Sequence, residues 1–328
     1  MPLFLDKANY WIELCVKTAI KLHREISADM NASTFSLFLD LTVCNFRYGI
    51  RPADYEAHQL YLVNRRLWQN TITLRNGRRI RDAYNNQEIC HILKDKHSFN
   101  EHYAKYIGRE WLYAPDHTPE EISAFVSRLT RVIVKPYNKL HGEGIFITSA
   151  EDIDDMPAFA AGAIENEYML EQVIVQHPDL CKINPHSVNS IRIITMLDKE
   201  KHLRIMNAVL RCASDESVID NYTAGGIVTG IDAKTGVLLA NSKSKTSDLL
   251  IRHPLTNTII PGIQIPFWDE VLDTVTQAAM VLPEIRMIGW DVAVTPTGPV
   301  IIEANHMPGF STMQWGTNGL MHMLKDNL

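Results

Sequence analysis

The amino-acid sequence predicts an α+β protein that begins with a mainly helical region. Over residues 9–29, the apolar side chains of Ile12, Val16 and Ile20 recur at the spacing of one helix face. Farther along the chain, short apolar runs typical of β-strands alternate with helical segments. These runs are residues 132–135, 168–175, 190–197, 203–211 and 227–231.

The helical segments carry their own start signals. Residues 52–68 look helical, and the arginines around Asn76-Gly77 are interpreted as a solvated face and a turn. Thr118, followed by Pro119 and Glu121, predicts a capped helix that runs to about Leu129. Two further helices are predicted at residues 156–166 and 266–282.

Composition excludes several classes of function. The chain has 328 residues and a net charge of −6, which argues against nucleic acid as its main partner. Its five cysteines are scattered and form no C-x-x-C pattern, so we expect reduced thiols and a cytoplasmic protein. The opening segment is too short for a signal peptide, and no apolar run predicts a membrane span.

A hairpin near the end of the chain predicts a metal site. Residues 292–294 and 300–302 are apolar runs that flank the turn signal Thr-Pro-Thr-Gly. Pairing around Thr297 would place Asp291 opposite Glu303, with Asn305 on the same face. Two carboxylates and an amide oxygen suit Mg²⁺. The alternative is an exposed hairpin end with incidental acidic residues.

An upstream segment predicts a phosphate site. Lys135 ends a strand, and the loop after it contains Gly142 and Gly144. Glycines let backbone N–H groups turn toward a phosphate, and the lysine adds a positive charge. The alternative is an ordinary hairpin turn, because neither G-x-x-x-x-G-K-[ST] nor G-x-G-x-x-G occurs.

Two arginines occupy strands near these sites. Arg192 opens an otherwise apolar strand, and Arg211 ends the next one. A buried arginine is costly without an anionic partner, so these two are candidates to hold a γ-phosphate or an acyl phosphate. The alternative is a structural ion pair with Asp215 or Asp220.

The order of these motifs resembles the ATP-grasp superfamily, and within it the sugar-transfer-associated group related to α-glutamate ligases. The resemblance extends from about Tyr48 to Gln314. It is carried by Asp95-Lys96, Val134-Lys135-Pro136, residues 141–145, residues 168–174, residues 184–192, Asp220-Asn221, residues 225–227, residues 289–291 and residues 302–305.

The resemblance implies two α+β lobes that enclose ATP, preceded by the helical region. The implied division is residues 1–90 for the helical region, 91–175 for the N-terminal lobe and 176–328 for the C-terminal lobe with the metal site. It implies ATP as substrate with one or two Mg²⁺ ions on Asp291, Glu303 and Asn305.

The resemblance also implies the nucleotide contacts. Lys96 would bind phosphates, with Lys94 as the alternative, and Glu171 or Asp179 would hold the ribose. The remaining implied contacts are the loop residues His141, Gly142 and Gly144, backbone groups of Gln172, Val173 and Ile174 at adenine, and Asn189. One departure is Gly289, where many carboxylate ligases have an arginine, so Arg192 or Arg211 would take its role.

The implied reaction is amide or peptide bond formation between a small-molecule carboxylate and an amine through an acyl phosphate, in natural-product or cell-surface glycan synthesis. The alternatives are a kinase acting on a sugar or alcohol and a non-catalytic nucleotide-binding partner. The sequence leaves the substrates and the oligomeric state open, a homodimer included.

Overall fold

A computed structural model describes residues 2–26, 33–137, 144–218, 222, 225–244, 249–314, 317 and 319–324. The chain forms two compact units. The first combines Met1–Ala83 with Gly309–Leu328, and the second is Tyr84–Pro308. Each unit has its own core of buried apolar side chains.

The first unit is helical. Its elements are α1 (Pro2–Ile26), α2 (Thr34–Val43), a π-helical turn (Cys44–Tyr48), α3 (Pro52–Ala57), a 3₁₀ helix (Arg65–Asn70), α4 (Leu74–Tyr84) and the short helices Phe310–Met313 and Met321–Met323. Its core includes Leu22, Leu37, Leu41, Tyr55 and Trp68. The mainly helical N-terminal region predicted from the sequence is confirmed.

Two local predictions in this unit are wrong. The helix predicted over 52–68 stops at Ala57, because the backbone turns through a left-handed Gln59 (φ 47°). The turn predicted at Asn76-Gly77 lies inside α4. Thr73 and Asn76 exchange hydrogen bonds between side chain and backbone at distances of 2.5 and 3.2 Å, which starts a helix there instead.

A four-stranded antiparallel sheet forms one part of the second unit. Helices α5 (His91–Lys94), α6 (Lys96–His102) and α7 (Ala104–Ile107) precede it. Its strands are β1 (Trp111–Tyr113), β2 (Val132–Pro136), β3 (Phe146–Thr148) and β4 (Tyr168–Gln172), in the order β1-β4-β2-β3. Helices α8 (Pro119–Arg128) and α9 (Met156–Glu165) pack on it through Ile122, Val126 and Ala163. The capping box predicted at Thr118 and Glu121 is confirmed.

A five-stranded antiparallel sheet forms the other part. After α10 (Pro178–Cys181) come β5 (Ser190–Leu197), β6 (Leu203–Cys212), β7 (Ile227–Gly230), α11 (Trp268–Ala279), β8 (Met287–Thr295) and β9 (Gly298–Asn305). The strand order is β7-β6-β5-β8-β9. Ile191, Ile193 and Trp290 share a core with Val271 and Val275 of α11.

The residues between these core positions point to the opposite face of the five-stranded sheet, because side chains alternate along a strand. We call this opposite face the polar face, since it carries Arg192, Arg211 and Asp291. Helices α5, α6 and α7 also pack into the core of this sheet, through Leu93, Phe99 and Ile107 respectively. The division of the chain at residues 90 and 175 stays a prediction.

No helix among the described residues combines the length and the apolar character needed to cross a membrane.

Candidate active site

The hairpin β8–β9 brings Asp291 and Glu303 directly opposite each other. Its turn is tight, since Thr295 pairs with Gly298. Continued without interruption, this register would place Asp291 opposite Ile302 and turn Glu303 to the other face. A β-bulge between the pairs Val292–Ile301 and Asp291–Glu303 removes that mismatch by leaving Ile302 unpaired. The predicted pairing is therefore confirmed, although the bulge was not foreseen.

Both candidate arginines point at Asp291. Arg192 lies across from Asp291 on the neighbouring strand β5 and donates Nε to Oδ1 and Nη2 to Oδ2, the latter at 2.7 Å. Arg211 Nη2 lies 3.2 Å from Asp291 Oδ2 and also donates to Ser190 Oγ at 3.0 Å. The two arginines therefore both pair with the proposed metal ligand. Of the two alternative partners, Asp220 lies outside the described residues.

The two carboxylates have opposite electrostatic environments. Burial works to raise the pKa of Asp291, but the charges of Arg192 and Arg211 outweigh it and lower this pKa to about 2. Desolvation by the neighbouring protein atoms, followed by the negative charge of Asp291, raises the pKa of Glu303. Glu303 is nevertheless exposed at the surface, so the charge of Asp291 directly opposite is the firmer of the two causes. Asn305 donates Nδ2 to Glu303 Oε1 at 3.2 Å. Asp291 is thus firmly anionic, and Glu303 gains its proton more readily than an ordinary glutamate.

These residues fit a divalent cation. Asp291 and Glu303 lie directly opposite each other with Asn305 beside Glu303, so a positive ion between them would relieve the repulsion of the two carboxylates. Hard oxygen donors on two carboxylates and an amide are the ligand types that Mg²⁺ takes, with water and substrate phosphate completing its shell. Asp291, Glu303 and Asn305 are therefore the residues that would hold Mg²⁺.

Away from the hairpin, another group of side chains brings its potential metal-ligand atoms within 4.8 Å of one another. Asp198, Glu200 and His202 lie around the turn between β5 and β6. Asp198 already accepts hydrogen bonds from the backbone and ring of His202 at 2.8 and 3.2 Å, so the turn explains this arrangement. Glu200 and His202 are exposed.

Lys135 lies in a buried ion-pair network. Its Nζ is 2.7 Å from Oε2 of Glu171, and Arg109 Nε lies 2.6 Å from the same oxygen. The Glu171 side chain is 3% exposed. Burial works to raise the pKa of Glu171, but Arg109 and Lys135 outweigh it and lower this pKa to about 2.

Lys96 lies close to Lys135. Its Nζ donates to the carbonyls of Tyr137 and Pro136 at 3.1 and 3.4 Å, where β2 ends. Burial, and after it the positive charge of Lys135, lower the pKa of Lys96, while Glu303 opposes this shift. Lys94, the alternative, is exposed. The lysine geometry therefore favours Lys96 as the partner of Lys135 at an anion site.

The other predicted nucleotide contacts fall into three groups. His141 and Gly142 lie outside the described residues, whereas Gly144 has a left-handed φ of +73° and a Cβ there would lie 3.0 Å from Pro136 Cγ. At the end of β4, the N–H groups of Gln172 and Val173 already donate to Glu110 O (2.8 Å) and Arg131 O (3.4 Å). Ile174 is half-buried.

The third group concerns the two ribose candidates and Asn189. Glu171 is occupied by its ion pairs, whereas Asp179 is exposed and pairs with Lys182 at 2.6 Å. Asn189 is fully buried and donates Nδ2 to Leu180 O (2.7 Å) and Asn184 O (3.1 Å). This places Asn189 in the packing of its own loop and not on the polar face.

The structure adds information about two positions, Gly289 and Arg109, that the sequence did not provide. A Cβ at Gly289 would lie 2.8 Å from Pro308 Cα, so position 289 has no room for the arginine that many carboxylate ligases carry there. Arg109 was not among the predicted site residues, although it contacts Glu171. Its partners lie far away along the chain, and no local motif marks it.

Comparison with known proteins agrees with this architecture. The family model described as "Sugar-transfer associated ATP-grasp" matches residues 75–327. Among curated proteins, no sequence matches the chain. The predicted ATP-grasp fold is confirmed by the family match.

Solved structures that match the chain are distant. The ATP-grasp ligase PsnB, complexed with a phosphomimetic variant of its minimal precursor, Mg and ADP, has 14% identity over 74% of this chain and 62% of its own, with a TM-score of 0.47. D-alanyl-alanine synthetase A from Vibrio cholerae has 13% identity over 72% and 60%, with a TM-score of 0.42. The chain therefore spans about 60% of the length of these proteins.

Proposed function

The chain belongs to the sugar-transfer-associated ATP-grasp family, and we propose that it is an ATP- and Mg²⁺-dependent ligase that joins a carboxylate to an amine. The observation that carries this proposal is the pairing of Asp291 with Glu303 beside Arg192 and Arg211. Carboxylates for a metal and arginines for an anion lie on one polar face, which is the arrangement that phosphoryl transfer needs.

Each group has a chemical task in this proposal. Lys96 and Lys135 bind the phosphate oxygens of the substrate ATP, since two neighbouring cations favour a polyanion. Asp291, Glu303 and Asn305 would hold Mg²⁺, which would neutralise negative charge on the phosphates of ATP when bound. Arg192 and Arg211 have the planar donor geometry that fits a phosphate or an acyl phosphate.

The proposed reaction has two steps. A carboxylate oxygen of the first substrate forms a bond to the γ-phosphorus while the bond to the β–γ bridging oxygen breaks, and ADP leaves. The amine nitrogen of the second substrate then bonds to the carbonyl carbon while the carbon–oxygen bond to phosphate breaks. The amine loses a proton, and inorganic phosphate leaves. No protein nucleophile takes part.

Arg192 is our candidate for stabilising the oxyanion of the second step. In its present arrangement its Nη1 donates to Pro308 O at 3.1 Å, next to Gly289. Arg192 lies on strand β5, and its guanidinium therefore reaches the region that an arginine side chain at position 289 would occupy. Donors that point at developing negative charge are worth about 10²–10³ in rate.

The setting of the reaction belongs to the same proposal. The five cysteines are free thiols in the structure, which agrees with a reducing compartment, and we place the protein in the cytoplasm. We also propose a role in cell-surface glycan or natural-product synthesis, with a small-molecule carboxylate and amine as substrates; the family description supports this only through its association with sugar transfer.

The test is nucleotide turnover with Mg²⁺ across pools of amino acids, amino sugars and small carboxylates. ADP is separated from AMP, and hydroxylamine is added to trap an acyl phosphate as a hydroxamate. ADP together with a hydroxamate is the expected result and identifies the carboxylate. ADP with a phosphorylated sugar or alcohol and no hydroxamate would show a kinase instead. AMP as the product would contradict both reactions.

A further inference from the structure

Arg109 occupies a buried position between the four-stranded and the five-stranded sheet. Its side chain is 3% exposed, and it lies between α7 and β1. Nε donates to Glu171 Oε2 at 2.6 Å, and Nη1 donates to Ile107 O at 3.1 Å and Ile301 O at 2.8 Å. Nη2 donates to Ile302 O at 3.0 Å. Four of the five guanidinium N–H groups therefore have acceptors.

The acceptors on β9 are located where the hairpin register changes. Ile302 is the residue left unpaired by the β-bulge, and Ile301 belongs to the pair Val292–Ile301 that precedes the bulge. This bulge is what places Glu303 opposite Asp291. By binding both carbonyls, Arg109 holds the bulge in the form that brings the two carboxylates together.

The acceptor on β4 is Glu171, which also binds Lys135 of the proposed phosphate site. Glu171 binds Arg109 and Lys135 through the same oxygen, Oε2. One guanidinium is therefore connected to the ammonium of Lys135 through a single carboxylate. On its other side it is connected to the backbone next to Glu303.

The backbone next to Arg109 lies unusually close to strand β9. Gly108, the residue before Arg109, has φ +54°, and a Cβ there would lie 2.3 Å from Cγ1 of Val300 on β9. The segment that carries Arg109 therefore approaches β9 more closely than a larger residue would permit.

We propose that Arg109 is a positioning residue that couples the phosphate-binding Lys135 to the metal-binding Glu303. The inference rests on the proposed function, since it needs Mg²⁺ at the hairpin and nucleotide phosphate at Lys135. Stability alone is a weak reason for this arrangement, because replacing a buried ion pair with apolar residues is often neutral or stabilising. A lysine could not reproduce these forked contacts to one carboxylate and three carbonyls.

The test is the Arg109→Lys variant, which keeps the positive charge and loses the fork. Binding of the fluorescent nucleotide mant-ADP is followed during a titration with Mg²⁺, so no turnover is needed. We expect the Mg²⁺ concentration at half-maximal effect to rise at least about tenfold, the usual cost of losing a residue that orients metal ligands. Arg128→Lys is the matched control, since Arg128 pairs with Glu110 at the exposed surface of the same unit, and it should leave the midpoint unchanged.

Each outcome decides one question. A lower melting temperature with an unchanged Mg²⁺ midpoint in Arg109→Lys would overturn the inference and leave Arg109 a structural residue. If wild-type protein bound mant-ADP without any response to Mg²⁺, the proposed function itself would fail and the inference with it. Should Arg109→Lys not fold, the double variant Arg109→Gln/Glu171→Gln removes the Arg109–Glu171 ion pair and keeps Lys135 charged, and the same rise in the Mg²⁺ midpoint is expected.

Discussion

Asp291 and Glu303 face each other across two neighbouring strands, although the tight turn between those strands sets a register that would separate them. The unpaired Ile302 corrects the register by one residue. The consequence is electrostatic, since Asp291 is held as an anion by two arginines while the pKa of Glu303 is raised. Removing the charge of Glu303 should therefore have opposite effects on stability and on function.

Glu303→Gln keeps the shape of the side chain and removes its charge. We expect Mg²⁺-dependent turnover to fall at least about a hundredfold, because a metal ligand is lost. In metal-free protein at neutral pH we expect a small rise in melting temperature, because the repulsion from Asp291 is removed but solvent around the exposed Glu303 already screens much of it. Thermal denaturation in EDTA and an ADP-release assay measure the two effects. A loss of both activity and stability would show that Glu303 is a structural residue.

The pH dependence of stability follows from the same glutamate. Because the folded state raises the pKa of Glu303, the folded state binds its proton more tightly than the unfolded state does. The glutamate therefore favours the folded state at pH below its unfolded pKa of about 4.5, and this contribution is lost as pH rises through the folded pKa. We expect wild type to become less stable relative to Glu303→Gln over that window, and added Mg²⁺ to reduce the difference. Melting curves from pH 4 to about pH 7 measure it, and a constant difference across the series would contradict the assignment.

Lys96 and Lys94 provide a matched pair of lysines. We expect Lys96→Met to weaken ATP binding at least about tenfold, since a charge-assisted hydrogen bond to a phosphate is worth about 1.5–3 kcal/mol. Lys94→Met removes an exposed lysine two residues away and should leave ATP affinity unchanged. Calorimetric titration with ATP compares the two variants. Equal losses, or a loss only in Lys94→Met, would move the phosphate contact away from Lys96.

Gly289 and Gly162 test the packing explanation for the missing arginine. An added Cβ at Gly289 would lie 2.8 Å from the backbone of Pro308. At Gly162 in α9, by contrast, an added Cβ would have no described atom within 4 Å apart from its chain neighbours and the backbone of its own helix. We expect Gly289→Ala to lower the free energy of unfolding by about 1–3 kcal/mol, as overpacking does. Gly162→Ala should raise it by roughly 0.5–1 kcal/mol, because alanine suits a helix better. Urea denaturation measures both changes, and a stable Gly289→Ala variant would remove the steric argument.

Local signals predicted most of the elements of the second unit. Thr118, Pro119 and Glu121 are sufficient to start α8 because a capping box involves only neighbouring residues. The alternation of apolar residues likewise predicted β5 at its observed bounds of Ser190 and Leu197. In the first unit, Asn76-Gly77 predicted a turn, but both residues lie in a helix because Thr73 and Asn76 form a reciprocal cap at its start.

Within the candidate site, the sequence predicted a contact between two residues only where both lie on the strands of one hairpin. Asp291 and Glu303 are close in sequence, so a turn position was enough to align them. Arg109 binds Glu171 and the carbonyl of Ile301, which are 62 and 192 residues away. Contacts at such separation depend on how the two sheets pack, and no pattern around Arg109 contains that information.

The most direct test of the metal assignment is a crystal structure with Mn²⁺ and a non-hydrolysable ATP analogue, read from the anomalous signal of manganese. We predict a peak within about 2.5 Å of carboxylate oxygens of both Asp291 and Glu303, next to the β- and γ-phosphates. An anomalous peak at Asp198, Glu200 and His202 instead, with none at the hairpin, would contradict the account.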